Sequence, residues 1–292
     1  MVDTISVIYA VQAIILTLTI PMSLIYLLTI IFIERFHTAN NILTANFCSI
    51  CFICVIYWAL YRASSVFHFY PYYGNTAFCT FVLSAGQYLN CLLIYSLTLI
   101  AISRYLTIRF PTKRLFKRKY WIYSTIILQW IFSSSVSIPI ILDSLQGCIN
   151  GLPLFSWNFL YYLLIIVIIP VIIYITFNGL ILAAVRSSSR RVREITTIIA
   201  ATTHIDHQQN RRDIKLLKHI FFLFFVFIFG WGPVYIATAI ADFYMPLWVY
   251  YLLQTLPAFT IIIQILDLFI YNHEVRQYWK ERMFRCLHIN LR

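Results

Sequence analysis

Residues 220–241 read IFFLFFVFIFGWGPVYIATAIA, a run of 22 residues without a charged side chain. About 20 apolar residues in a helix cross the hydrocarbon core of a membrane. The whole chain is 61% hydrophobic and 11% charged, whereas soluble domains carry about 25% charged residues. The composition therefore argues against a soluble fold, a disordered chain and a disulfide scaffold, and it predicts a membrane protein.

Six further uncharged runs have the same character, so the sequence predicts seven spans. Two of the runs exceed one helix, because each includes a predicted loop, at residues 67–76 and 144–153. The runs do not alternate polar and apolar residues, which favours helices over a β-barrel. We expect one all-α domain over residues 1–292, with spans at 9–32, 42–66, 76–107, 120–142, 155–185, 213–240 and 247–271.

The distribution of charge predicts the orientation of the bundle. Of the 22 Lys and Arg residues, 21 fall on one side of the predicted spans, and such an excess marks the cytoplasmic side. The opposite side holds Arg62 with Asp3, Asp143 and Asp242. We expect an extracellular N-terminus, a cytoplasmic C-terminus, and a net charge of +12 that serves topology and contact with anionic lipid rather than nucleic acid.

The end of the third predicted span carries the most specific motif. Ser103-Arg104-Tyr105, followed by Pro111, resembles the Asp-Arg-Tyr motif and proline of rhodopsin-like (class A) G-protein-coupled receptors. Cys79 precedes Arg104 by 25 residues, which is the family's spacing for its outer disulfide cysteine. The resemblance extends along the chain through Asn41, Asn46, Trp130, Pro170, the Phe227-x-x-x-Trp231-x-Pro233 motif, and Asp267-Leu-Phe-Ile-Tyr271.

The resemblance implies a switch in the sixth span. Pro233 removes a helix hydrogen bond and kinks the helix, and Trp231 lies on the ligand side of that kink. Ile94, Pro170 and Phe227 match the family's packing cluster, which rearranges as the sixth helix swings outward. The family's G-protein-coupling machinery falls here on Arg104, Tyr105, Asp267 and Tyr271.

Several positions depart from the family's pattern. Ser103 replaces the acid beside Arg104, so Asp213, 20 residues before Pro233, is the expected carboxylate partner of Arg104. Leu268 replaces the proline of the seventh span. The family's sodium-site positions fall on Cys51 and Leu93, neither of which offers a cation an oxygen, so we expect no sodium regulation.

The resemblance also implies covalent features at both ends of the bundle. Cys79 and Cys148 are the only cysteines on the predicted oxidising side, and a disulfide between them is expected. A short amphipathic eighth helix is expected at about residues 273–285, with Cys286 as a palmitoylation site. Residues 272–292 contain no Ser or Thr, so arrestin, if recruited, is expected to read the third inner loop.

Two ligand classes are disfavoured by the residues that stand at their anchor positions. Gly86 occupies the position of the aspartate that binds amines, and Ile261 that of the lysine that binds retinal. An aromatic, weakly polar mouth favours a short peptide or an organic molecule, and Arg62 is either a carboxylate partner or a snorkelling cation. The expected pocket residues are Arg62, Gly86, Gln87, Asn90, Trp157, Trp231 and Tyr235, with Tyr61 and Asp242 nearby.

Three functions remain open at this point. The resemblance favours a G-protein-coupled receptor of the plasma membrane, with no enzymatic activity and no cofactor or metal. The alternatives are a seven-helix ligand-gated channel and a partner subunit that does not signal by itself. A ligand current that persists without G protein would select the channel.

Overall fold

The computed structural model describes residues 2–67, 76–110, 113, 118–150, 160–161, 163–196, 221–237 and 246–289. This part of the chain is helical and contains no strand, in agreement with the predicted all-α fold. The helices are α1 (Val2–Phe32), α2 (Ala39–Val66), α3 (Thr76–Arg109), α4 (Lys119–Asn150), α5 (Ile169–Thr196), α6 (Phe221–Ala237), α7 (Leu247–Leu253), α8 (Thr255–Tyr271) and α9 (His273–Ile289).

Six of the helical segments are long and apolar enough to cross a membrane, and α6 is a shorter apolar helix. The helix at Trp248–Tyr271, which contains α7 and α8, is the seventh span. Several bounds differ from the sequence predictions, and the fifth span, predicted to end at residue 185, continues as helix to Thr196. α1 begins at Val2, and α4 continues to Asn150, through part of the loop predicted at residues 144–153. The single Gly147 does not end α4, because one glycine costs a helix only about 1 kcal/mol.

Helix α3 lies at the centre of the bundle. It packs against α2, α4 and α5, while α1 packs against α2 and α8. Its middle residues are almost fully enclosed, including Leu92, Leu93 and Ile94. Helix α4, by contrast, turns much of its apolar surface outward. The central helix α3 therefore carries, on one rigid element, side chains that lie at both ends of the bundle.

The fifth span begins with a π-helical segment, Leu163–Ile168, just before Pro170. Pro170 lacks a backbone N–H, so the regular hydrogen-bond ladder cannot continue through it. A carbonyl in this irregular segment is satisfied from outside, because the hydroxyl of Tyr95 donates to the oxygen of Ile165 at 2.9 Å. Irregular backbone at membrane depth persists where neighbouring helices supply such partners.

A polar contact joins α2, α3 and α4 in the middle of the bundle. The Asn46 side-chain amide donates to Gln129 Oε1 at 2.9 Å, and Gln129 Nε2 donates to the carbonyl oxygen of Leu92 at 3.1 Å. The indole of Trp130 donates to Asn46 Oδ1 at 3.2 Å. Hydrogen bonds between helices in an apolar medium fix the register of the spans.

Helix α9 is attached to α1 through the junction that follows Tyr271. Asn272 Nδ2 donates to the Tyr26 hydroxyl at 3.2 Å and to Asn41 Oδ1 at 3.3 Å. About two turns further along, the Trp279 indole donates to Thr29 Oγ1 at 3.1 Å. The first span, the start of α2 and the end of the seventh span are therefore tied together.

Candidate functional site

A polar cluster joins α3 and α6 on the side of Trp231 toward the disulfide. Asn90 Nδ2 donates to the hydroxyl of Tyr235 at 3.0 Å, and this hydroxyl donates to Gln87 Oε1 at 3.1 Å. Asn90 and Tyr235 are 2% and 5% exposed. Asn90 Oδ1 and the indole Nε1 of Trp231 are enclosed, and neither atom has a hydrogen-bond partner among the described residues. The cluster therefore offers one unused acceptor and one unused donor.

Aromatic rings continue from this cluster along one face of α6. The centroids of Tyr235 and Trp231 lie 6.1 Å apart, as do those of Trp231 and Phe227. These residues and Leu223 recur at every fourth position, so they share one face of the helix. Phe227 and Ile94 belong to the same buried core, and each is 1% exposed. Movement of α6 therefore displaces the whole row of side chains.

Arg104 of α3 lies near the opposite end of this face, beside Leu223. Its Nε and Nη1 atoms are enclosed, and neither has a hydrogen-bond partner in the part of the chain that the structure describes. Among the described residues no carboxylate pairs with Arg104. A cavity of about 30 Å³ adjoins the guanidinium and is lined by Thr44, Phe47, Leu97, Ile100, Arg104, Tyr174, Leu223 and Leu268.

Aromatic contacts join α3, α5 and α6 at the end of the bundle where Arg104 lies. Tyr174 of α5 stacks on Phe224 of α6 with a centroid separation of 3.7 Å and an interplanar angle of 6°. Tyr105 meets Phe177 edge to face at 5.3 Å. An apolar, tightly packed surrounding leaves the charged guanidinium poorly solvated, which is energetically costly.

The remaining predicted switch residues fall in different surroundings. Asp267 is 6% exposed within α8, whereas Tyr271, one turn later, is 41% exposed. Pro170 is buried at the start of α5. Asp213, the predicted partner of Arg104, lies outside the described residues, so that pairing stays a prediction.

Two of the predicted pocket residues do not join the cluster around Asn90. Gly86 faces α2, where an added Cβ would come within 3.0 Å of both Tyr57 and Trp58. Arg62 contacts α1 and the seventh span instead, and its Nη2 donates to Gln254 Oε1 at 2.7 Å. Trp157 and Asp242 lie outside the described residues.

The disulfide between Cys79 and Cys148 is present, as the resemblance implies. It joins the beginning of α3 to the end of α4 and closes a sequence separation of 69 residues. Within the described ranges, no three or more His, Cys, Asp or Glu side chains are grouped to hold a metal. Cys48, on the cysteine-bearing face of α2, donates instead to the carbonyl oxygen of Ser23. Helix α9 includes position 286, but the Cys286 side chain is not among those described.

Several residues in these sites escaped the sequence analysis. Tyr174 gave no signal, because an aromatic residue in a uniformly apolar span can face lipid or core. Gln129 and Gln254 were recognisable from the sequence as helix-contact residues, since an amide inside an apolar run needs a hydrogen-bond partner. Asn272 directly follows Tyr271 and was recognisable only as a helix-end residue.

A bundle of apolar spans, fastened by a disulfide at one end and enclosing an arginine at the other, is the architecture of a seven-helix membrane receptor. The family model described as 7 transmembrane receptor (rhodopsin family) matches residues 27–271. The chain belongs to this family, whose members signal as G-protein-coupled receptors. No curated protein matches the chain.

Proposed function

We propose that the protein is a plasma-membrane receptor with an extracellular N-terminus that activates a heterotrimeric G protein when an extracellular ligand binds among its helices. One observation carries the proposal. A single face of α6 contacts the polar cluster around Asn90 at one end, through Tyr235, and lines the Arg104 cavity at the other, through Leu223. A ligand that moves this face changes both ends together.

The ligand side of the proposal rests on the unused polar atoms of the cluster. A buried polar atom without a partner costs roughly 1–3 kcal/mol. Asn90 Oδ1 can accept a hydrogen bond and Trp231 Nε1 can donate one. A peptide bond or amide supplies both complementary groups, so a peptide or an amide-bearing organic molecule fits the cluster. Its binding energy would favour the α6 position that satisfies both atoms.

The cytoplasmic side of the proposal rests on Arg104. Two nitrogens of the guanidinium, Nε and Nη1, are enclosed beside a cavity lined mainly by apolar and aromatic side chains, and no carboxylate among the described residues pairs with them. Outward movement of α6 would withdraw Leu223 and Phe224 and expose Arg104 to the carbonyl groups at the end of a Gα helix. The guanidinium would then gain the hydrogen-bond acceptors that it lacks in the closed state.

A pair of matched variants tests this proposal in cells. Arg104→Ala and Arg109→Ala remove the same side chain from the same end of α3, but Arg109 is exposed and does not line the cavity. Activation across a panel of Gα subunits would be measured at equal surface expression, with agonists from a peptide and small-molecule screen. We expect Arg104→Ala to abolish activation and Arg109→Ala to retain most of it.

Two results would contradict the proposal. Activation that survives Arg104→Ala would remove the arginine from coupling. A ligand-evoked current in cells without Gα subunits would identify a channel instead. Tags at the two termini, read on intact and permeabilised cells, test the orientation separately.

A further inference from the structure

Arg62 is a buried cation among aromatic rings, between α1, α2 and the seventh span. The side chain is 7% exposed. Its guanidinium carbon lies 5.2 Å from the ring centroids of Tyr9 and Trp58 and 5.4 Å from that of Tyr61. A cation at membrane depth is retained where it has a function, because desolvation makes it costly.

The hydrogen bonding of this guanidinium is incomplete. A guanidinium carries five N–H donors in a planar fork that matches a carboxylate. Within the described residues Arg62 has one acceptor, the neutral Oε1 of Gln254 at 2.7 Å. The three ring faces attract the charge but accept no conventional hydrogen bond. The Gln254 Oε1 atom therefore occupies the position that one oxygen of a carboxylate would take beside the guanidinium, but it carries no negative charge.

Arg62 lies near the end of the bundle at which we expect the ligand to enter. It lies near the last turn of α2, at the end of the bundle where α3 begins and where Cys79 is linked to Cys148. The predicted spans leave Arg62 alone of the 22 Lys and Arg residues on this side. An anionic ligand entering from this side therefore finds a single Lys or Arg side chain to pair with.

We propose that Arg62, with Tyr9, Trp58 and Tyr61 around it, is a carboxylate-binding subsite for the extracellular ligand. The ligand carboxylate displaces the Gln254 side chain and pairs with the guanidinium, while the adjoining apolar part of the ligand packs on the rings. The inference rests on the proposed receptor function and specifies its ligand class. The carboxylate belongs either to the free C-terminus of a peptide or to a small organic acid.

The first experiment measures selection of acids by the purified full-length chain in lipid nanodiscs. Two pairs of probe libraries are used: tripeptides as free acids and as C-terminal amides, and aromatic carboxylic acids and their carboxamides. Retained compounds are identified by mass spectrometry. We expect the acids of at least one pair to be enriched about 30-fold or more over their amides, the lower range for truncating one partner of a buried charge pair. The enriched pair identifies the source of the carboxylate.

Variants connect this selection to Arg62. Arg62→Gln is expected to abolish the preference for acids. Gln254→Glu keeps the arginine but places a carboxylate against it, so it is expected to abolish the preference even if Arg62→Gln does not fold. Gln146→Glu adds the same charge to an exposed position near the same end of the bundle, and it is expected to keep the preference.

The proposal is overturned if acids and amides are retained equally, if no probe is retained, or if the acid preference survives in Gln254→Glu. A functional measurement separates this inference from the receptor function. Acids that bind through Arg62 but never alter Gα activation would establish the subsite and refute the proposed function. Agonists that are equally active as acids and as amides would support the receptor function and refute the carboxylate subsite.

Discussion

Gly230 of the sixth span lies directly against Thr260 of the seventh, and replacing it with alanine perturbs that contact. A Cβ built on Gly230 would lie 1.7 Å from Thr260 Oγ1 and 2.7 Å from Thr260 Cβ. Both distances are far below van der Waals contact, so the helices must separate or Thr260 must change rotamer. Thr260 Oγ1 also donates to the carbonyl oxygen of Val226 at 3.3 Å, and a rotamer change would break this bond.

Gly179 in α5 provides a matched control, because a Cβ added there meets no atom within 4 Å. Alanine favours a helix over glycine by about 0.5–1 kcal/mol, and this gain applies to both substitutions. The difference between the variants therefore isolates the steric term, for which overpacking costs typically about 1–3 kcal/mol. We expect the upper half of this range, since the nearest contact is so short.

Thermal unfolding of the purified chain in nanodiscs measures this difference. A thiol-reactive dye reports on unfolding, since four free cysteines are buried within the described ranges. Gly230→Ala should melt several degrees below the wild type, and Gly179→Ala at or slightly above it. Thr260→Ala, combined with Gly230→Ala, removes the nearest atom and should recover part of the loss. The reporting thiols are those of Cys48, Cys51, Cys54 and Cys91.

The reasoning is refuted if Gly230→Ala melts as high as Gly179→Ala, or if Thr260→Ala brings no recovery. The first result would mean that the sixth and seventh spans do not meet at this register. The second would mean that the loss arises elsewhere in α6. Because Gly230 is adjacent to Trp231, Gly230→Ala is also expected to change agonist-independent signalling, measured at equal surface expression.

Three further outcomes are expected. Cys148→Ser removes the disulfide with Cys79, which closes a sequence separation of 69 residues and should stabilise the fold by about 4 kcal/mol through chain entropy alone. We expect lower surface expression and a lower melting temperature, and unchanged values would contradict a stabilising role. Asn272→Ala removes two hydrogen bonds to α1 and α2 and should lower the free energy of unfolding by about 1–3 kcal/mol in chemical denaturation, whereas Gln277→Ala, at an exposed position of α9, should leave it unchanged. Asp213→Asn should raise basal Gα activation several-fold if Asp213 restrains Arg104, and wild-type basal activity would show that the restraint lies elsewhere.

The order and number of spans could be predicted because apolar length is a one-dimensional property. A helix long enough to cross the membrane must be apolar throughout, so the uncharged runs locate the spans without knowledge of their packing. The end of α4 was less predictable. Residues 144–150 contain a single glycine and no proline, so they remain compatible with helix although their composition is that of a loop.

The break in the seventh span had a sequence signal that went unused. α7 ends at Leu253 and α8 begins at Thr255, with Gln254 between them. A proline ring inside a helix clashes with the carbonyl four residues before it, and Pro257 stands four residues after Leu253. Gln254, at this break, accepts the hydrogen bond from Arg62. The effect of Pro257 on the helix and the presence of one arginine in the outer part of the spans together indicate where this contact forms.

The contacts between helices could not be predicted from the sequence in the same way. In lipid, a side chain facing outward and one facing a neighbouring helix are equally apolar, so hydrophobic periodicity does not mark the core. The contact of Gly230 with Thr260 depends on the rotation and register of two spans. Only resemblance to the family brought Ile94, Phe227 and Trp231 together in the sequence analysis, and it gave no indication of Tyr174.

The contacts that hold α6 against α5 and the seventh span each contribute a small free energy, and this makes a ligand-driven switch energetically feasible. The stack of Tyr174 on Phe224 contributes about 0.5–1.5 kcal/mol beyond its buried area, and the hydrogen bond from Thr260 to α6 about 0.5–1.5 kcal/mol. A ligand that satisfies both Asn90 Oδ1 and Trp231 Nε1 recovers a comparable amount, because each orphaned atom costs roughly 1–3 kcal/mol. Moving a two-state equilibrium from 1:99 to 99:1 needs about 5.5 kcal/mol of differential binding. Contacts at the Asn90 cluster alone fall near or below that value, so full activation would require a second subsite whose geometry also depends on helix position.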